Sequence, residues 1–199
     1  VRVINPFGFT LKQSTFAFQS ALANVGETWF ARDRSLVPFV GDKIVTLDGY
    51  INDLQYVGDR MIVSLDGIGI AVIDPNDDFR VLSQKPVTEK VSQLVVSDNK
   101  MIALVGDAVK AFKITGNAVD EVKTLDIDGQ IIDIQNRNGE FVILTDTQIV
   151  ILNTMFGVKQ RHYGNFTAFA QTEDHIFVSS YDGKLYVFDN NFVLRKHAI

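Results

Sequence analysis

The chain has 199 residues, 46% of them hydrophobic, no cysteine, and a net charge of −5 with the two signs interspersed. That length and apolar content can bury a sizeable core in one domain, and the missing cysteines exclude disulfides, thiolate catalysis and cysteine-rich zinc sites. Nothing resembles the one-sided basic surface that neutralises phosphates, so no direct nucleic-acid partner is expected; the longest apolar stretch, residues 141–152, is interrupted by Asp146 and Gln148, so no membrane span is expected either.

Residues 1–13, with Val1-Arg2-Val3-Ile4, offer one strand ahead of a repeating pattern. Stretches that begin at Phe16, Ile51, Val91, Ile131 and Phe166 carry the same order of apolar runs and turns, at steps of 35, 40, 40 and 35 residues. A period of that size marks a repeat architecture whose units bury their apolar faces against their neighbours. The first copy, residues 16–50, is degraded: Thr28-Trp29-Phe30-Ala31, residues 36–40 and residues 43–47 match second, third and fourth strands, and Pro38 counts against a central strand because it removes a ladder donor. In the second copy, residues 51–90, strands are predicted over 54–56, 61–64, 68–73 and 79–82, with hairpins at Asp66-Gly67 and Asp74-Pro75-Asn76-Asp77. The third copy, residues 91–130, has later strands over 101–105, 109–114 and 119–125, and the fourth, residues 131–165, turns at Asp146-Thr147. The fifth, residues 166–199, is the clearest, with strands over 166–170, 175–180, 184–188 and 192–196 around Asp182-Gly183.

Second and third strands such as Met101-Ile102-Ala103-Leu104-Val105 and Ile149-Val150-Ile151-Leu152 are apolar on both faces, which suits a sheet covered on both sides. Fourth strands such as Val158-Lys159-Gln160-Arg161-His162-Tyr163 are polar, and basic side chains on an outer edge discourage pairing with other chains. The expected fold is all-β, a β-propeller of four-stranded antiparallel blades, four clear repeats plus one degraded, within a single domain or as part of a larger propeller. Either residues 1–13 close the array, or its end blades need further blades from the parent chain or a partner. The irregular start and the absence of an initial Met favour the second. No cleavable signal peptide is recognised.

Ser179-Ser180-Tyr181-Asp182-Gly183-Lys184-Leu185-Tyr186-Val187-Phe188-Asp189 resembles the second-to-third strand pattern of WD-repeat propellers, with Phe188-Asp189 where that family often has Trp-Asp; Ser64-Leu65-Asp66-Gly67 followed by Ile73-Asp74 is similar. The Gly-His pair and the Trp of that family are absent, so its buried hydrogen-bond network is not carried over. The resemblance implies a scaffold that binds macromolecules through loops and blade edges, and implies no chemistry.

Candidate reactive groups have plainer readings. His162, His175 and His197 lack metal-ligand spacing. Asp66, Asp107, Asp146 and Asp182 occupy equivalent hairpins, where aspartate favours a tight turn by bonding local backbone. The Asp74–Asp78 run lacks the Gly and terminal Glu of a calcium loop, and Asn165-Phe166-Thr167 is a glycosylation triplet with meaning only in a secreted chain. Gly106, Gly116, Gly129 and Gly139 punctuate strands, with no long helix after any of them to complete a phosphate-binding loop. Among the fifteen phenylalanines, Phe112, Phe141, Phe169, Phe177 and Phe188 suit core packing, while Trp29 is a candidate to face a partner.

The expectation is therefore a non-enzymatic protein–protein interaction scaffold inside the cell, a subunit of a complex, with no catalytic, metal or cofactor residue. Its partner-binding residues are expected where one repeat's fourth strand leads to the next repeat's first: Tyr50, Glu89, Gln130 and Asn165. An extracytoplasmic bacterial propeller scaffold is the alternative. A propeller glycosidase, with two carboxylates at a set separation, ranks last.

Overall fold

Short runs of branched and aromatic residues separated by Gly, Asp and Asn fold as strands, and the described residues contain no helix. The computed structural model describes residues 2–4, 10–13, 21–25, 27–38, 42–172 and 174–198, with side chains over 29–38, 42–172 and 174–195. Strands β1 (Arg2–Ile4) and β2 (Thr10–Gln13) pair with each other in a two-stranded sheet. Five four-stranded sheets follow, each a meander of consecutive antiparallel strands. The first holds β3 (Ala21–Val25), β4 (Glu27–Arg32), β5 (Ser35–Pro38) and β6 (Val45–Thr46). The second holds β7 (Ile51–Val57), β8 (Arg60–Leu65), β9 (Gly69–Asp74) and β10 (Arg80–Pro86). The third is β11 (Val91–Ser97), β12 (Lys100–Val105), β13 (Ala108–Thr115) and β14 (Ala118–Leu125). The fourth is β15 (Ile131–Arg137), β16 (Glu140–Thr145), β17 (Gln148–Leu152) and β18 (Val158–Tyr163), and the fifth β19 (Phe166–Gln171), β20 (His175–Ser180), β21 (Leu185–Asp189) and β22 (Leu194–Ala198).

These sheets coincide with the five repeats and are the blades of a β-propeller fold. The predicted start of the first copy, Phe16, lies outside the described residues. Pro38 is tolerated because it ends β5, opposite Trp29, where few ladder bonds remain to be lost. Trp29 does not face a partner: it is 6% exposed and its ring lies 4.5 Å from that of Phe79. An indole placed among Leu36, Met61 and Ile73 is held by the apolar area it removes from water.

The chain divides into two compact units, Val1–Leu94 with Thr115–Val119 and Val95–Ile114 with Asp120–Ile199. In the first unit, Trp29, Ala31 and Leu36 pack with Met61, Val63, Ala71 and Ile73. In the second, Ile102, Val109 and Ala111 pack with Phe141, Ile143, Val150 and Leu152, and the opposite face of the fourth sheet, Val142, Leu144, Ile149 and Ile151, packs with Ile176, Val178 and Phe188. All five residues of β17 are buried, as are five of six in β16. Each such Val, Leu or Ile side chain contributes about 1.5–3 kcal/mol by burial.

In the second, fourth and fifth sheets the turn between third and fourth strands repeats a construction the sequence did not disclose. Asp74 Oδ1 accepts the Asn76 amide, Asn153 Oδ1 those of Met155 and Gly157, and Asp189 Oδ1 those of Asn191 and Val193, all at 2.9 Å. Each turn then places a phenylalanine in the left-handed region, Phe79 (φ 57°), Phe156 (φ 59°) and Phe192 (φ 57°), and buries it. Consequently β10 and β22 begin at Arg80 and Leu194, after the phenylalanines that the sequence reading placed at their starts.

Candidate functional site

A connection between two sheets carries little apolar surface, so its path is set by where its backbone groups find partners. Here they find the hairpins between second and third strands. In the second, fourth and fifth sheets the carbonyl of the residue before the first strand accepts from that sheet's own hairpin: Tyr50 from Asp66 N (2.8 Å), Gln130 from Asp146 N (3.1 Å) and Asn165 from Tyr181 N (3.0 Å). The first residue of the strand donates back to the preceding hairpin, Ile51 N to Asp33 O (2.7 Å) and Phe166 N to Asp146 O (2.9 Å). Leu47, Val87 and Gly164 add amide bonds to Arg34, Ile68 and Thr147. The backbone of these connections is fixed; Leu47, Ile51 and Phe166 turn their side chains into the core, and Tyr50, Gln130 and Asn165 leave theirs exposed.

Three of the four predicted residues stand at equivalent places in their own sheets, Tyr50 in the first unit and Gln130 and Asn165 in the second. Tyr50 is 58% exposed, with the Arg34 guanidinium 6.0 Å from its ring centre. Gln130 and Asn165 are exposed on either side of Asp146, to which Gln130 N and Phe166 N both bond. Glu89 is exposed and accepts from Thr88 Oγ1 (2.8 Å), but it lies one residue before the equivalent place, which Lys90 fills ahead of β11. The four stand on separate connections. No single pocket gathers them.

The hairpin aspartates are not all alike. Asp146 Oδ1 accepts the Gln130 amide at 2.8 Å, so this carboxylate anchors the incoming connection. Gly129 makes room for it: an added Cβ would lie 2.4 Å from Thr147 Oγ1 and 2.5 Å from Asp146 Oδ1, at a φ of +89° that L-residues rarely adopt. Asp182 instead bonds within its own hairpin, accepting from Lys184 Nζ and Ser180 Oγ at 2.5 Å each; Lys184 first, then Ser180, hold its carboxyl down to about 2.

Beside Asn165 the rim opens into a groove of about 470 Å3 lined by Gly164, Asn165, Ser180, Tyr181, Asp182 and Tyr186. Tyr181 and the neighbouring Tyr163 are each 73% exposed, an unusual state for a residue that dominates protein interfaces when buried. Sequence reasoning passed over both tyrosines. Their position at the end of a polar strand and at the tip of Asp182-Gly183 was the available signal. A second groove, of about 250 Å3, is lined by Lys123, Leu125, Ile127, Leu152, Phe156 and Arg161 among others, and Arg161 crosses it to Asp126 O (3.0 Å) and Gln148 Oε1 (3.2 Å).

Two polar groups, the half-buried Asp53 and the buried Arg137, serve the sheets. Asp53 sits at a bulge in β7 and accepts from Leu94 N (2.7 Å) and Leu54 N (2.8 Å); burial raises its pKa, and the two amides oppose the rise. Arg137 Nη1 donates to Thr172 O (2.8 Å) and His175 O (3.1 Å), tying β15 to the turn that joins β19 and β20. Among the described residues no three His, Asp or Glu side chains converge as a metal site would require.

Stacked four-stranded meanders with a hydrogen-bonded rim define a β-propeller, and comparison with solved structures gives the same fold. BBS1N, crystallised in complex with ARL6DN, superposes with a TM-score of 0.74 at 8% identity, over 96% of this chain and 71% of that one. A chain of the mitotic checkpoint complex matches at 0.67 and 11%, over 89% and 63%, and KlHsv2 with its loop 6CD replaced by a Gly-Ser linker at 0.69 and 14%, over 90% and 65%. No family model matches the sequence, and no curated protein is similar to it.

Proposed function

We propose that this chain is a non-catalytic scaffold, a degenerate WD-repeat-like propeller that acts inside the cell as a subunit of a protein complex and binds through its rim. The observation that carries this reading is the rim itself. Its main chain is consumed in hairpin bonds while Tyr50, Gln130, Asn165, Tyr163 and Tyr181 are held outward in places where packing asks nothing of them. Rigid presentation of aromatic and amide side chains lowers the entropic cost of association. Two of the similar solved structures, BBS1N with ARL6DN and the mitotic checkpoint complex, are themselves complexes, which supports the reading by analogy of fold.

The test is capture from the native extract by the intact chain and by a Tyr50→Ala, Gln130→Ala, Asn165→Ala, Tyr181→Ala variant. Because these side chains lie outside the core, the variant should melt within about 2 °C of the parent. Its yield of any specific partner should fall at least about tenfold, the loss of roughly 1.4 kcal/mol. Equal capture by both would refute the rim as the binding surface.

A further inference from the structure

In the second, third and fourth sheets a two-residue turn joins the first strand to the second, and each turn opens on a left-handed residue: Gly58 (φ 60°), Asp98 (φ 52°) and Asn138 (φ 50°). In the fourth sheet Arg137 pairs with Glu140 across Asn138 and Gly139. Gly139 holds a φ of 83°, so both central residues are left-handed and the turn is of type I′. The fold does not demand this pair, since Gly58-Asp59 and Asp98-Asn99 make the equivalent turns. It is the one place in the chain where asparagine precedes glycine.

The pair is open to reaction with itself. Asn138 is exposed, and neither its carboxamide nor the Gly139 amide has a hydrogen-bond partner among the described residues, whereas the carboxamides of Asn153 and Asn190 are engaged. A Cβ added at Gly139 would meet nothing within 4 Å, so no neighbour crowds the nitrogen. Once hydroxide removes its proton, that nitrogen attacks Asn138 Cγ. The new C–N bond closes a five-membered imide, and the Cγ–Nδ2 bond breaks to release ammonia, which takes its proton from water. Water then opens the imide at either carbonyl, with no oxidant or reductant involved. One product is aspartate. The other, isoaspartate, runs the main chain through the former side chain and lengthens it by one methylene.

The turn that carries the pair also restrains it. Ring closure needs Cβ of Asn138 and the Gly139 nitrogen on the same side of the Cα–C bond, but a type I′ turn sets ψ of its first residue near about 30° and places them on nearly opposite sides. Cyclisation therefore waits for the hairpin end to open. After isoaspartate forms, the extra methylene spoils the two-residue loop that pairs Arg137 with Glu140. Arg137 is also the residue whose guanidinium donates to Thr172 O, His175 O and Asn190 Oδ1 in the fifth sheet.

We propose that Asn138-Gly139 is a site of spontaneous deamidation gated by its own turn, and that the isoaspartyl product loosens the Arg137 tie between the fourth and fifth sheets. This is independent of the rim reading.

The full-length chain would be aged in mildly alkaline buffer, folded and in urea, and digested for mass spectrometry. In urea Asn138 should convert faster than Asn117, an exposed asparagine that precedes alanine. In the folded chain it should still convert, at least about tenfold slower than in urea, because only the open fraction reacts. Equal rates in the two states would overturn the proposal, and so would a folded chain in which Asn117 converts and Asn138 does not. The isolated isoaspartyl form should exchange the amides of Glu140 and His175 with deuterium at least about tenfold faster than the parent. An Asn138→Gly chain, whose glycine accepts the same φ, should age without that change. A fresh Asn138→Asp chain, which gains the charge and not the methylene, should exchange like the parent. Unchanged exchange in the isoaspartyl form, or the same loosening in either variant, would also overturn the proposal.

Discussion

His162 stands on β18 with its ring 4.8 Å from that of Phe188, and its Nε2 is buried with no hydrogen-bond partner among the described residues. Burial lowers its pKa, and a hydrogen bond to the Phe192 backbone carbonyl offsets part of the fall. The fold therefore prefers the neutral ring. An imidazole with a depressed folded pKa supports the native state fully above its unfolded value of about 6.5 and loses that support as pH falls through the folded value. Stability measured by urea unfolding should thus decline between about pH 7 and pH 5. His162→Gln, which keeps a donor for the carbonyl and cannot be charged, should flatten that limb; the same decline in the variant would show that another group titrates. Asp182, exposed and held near 2 by Lys184 and Ser180, acts only at the far acid end of the profile.

At the scale of the element, the turn that ends the third strand of the second, fourth and fifth sheets is worth more than its length suggests. Phe192 is fully buried against the fourth sheet, with Lys159 Nζ 5.9 Å from its ring centre, and it holds a positive φ. Phe192→Ala should cost about 3–5 kcal/mol. Phe192→Gly should cost about 1 kcal/mol less than Ala, because glycine accepts the left-handed backbone that alanine resists. Met155, 81% exposed in the equivalent loop of the fourth sheet, should tolerate alanine within about 0.5 kcal/mol. Chemical denaturation of the three variants checks the order, and a glycine variant less stable than the alanine one would contradict this account of the turn. These loops mark where the sequence stops being legible. Doubly apolar runs such as Ile149 to Leu152 disclosed inner strands at once, and Asp-Gly pairs disclosed hairpins. A phenylalanine next to a strand looks like part of that strand, and neither its left-handed backbone nor its burial can be foreseen without the Asn or Asp side chain that bonds across the turn. The rim was legible for the opposite reason. Counting repeats put Tyr50, Gln130 and Asn165 at equivalent positions of their own sheets, whereas Glu89 slipped by a residue and the groove beside Asn165 needed the fold of three separate segments.

For the whole molecule, stacked sheets imply that stability is a sum of sheet and seam contributions, so resistance to opening should vary along the chain. Within the second unit the fourth sheet is covered on both faces, while the fifth has one covered face and one half-buried. Opening the fifth sheet breaks one described seam; opening the fourth breaks two. Amides of Val142, Ile143, Val150 and Ile151 should therefore exchange with deuterium slowest, and those of Val178 and Val187 roughly ten- to a hundredfold faster, the span expected of a difference of about 1.4–2.8 kcal/mol. Native-state exchange resolved by residue would show the gradient. A uniform rate across both sheets would instead mean that the two open as one cooperative body, and the seam between them would then outweigh the second seam of the fourth sheet.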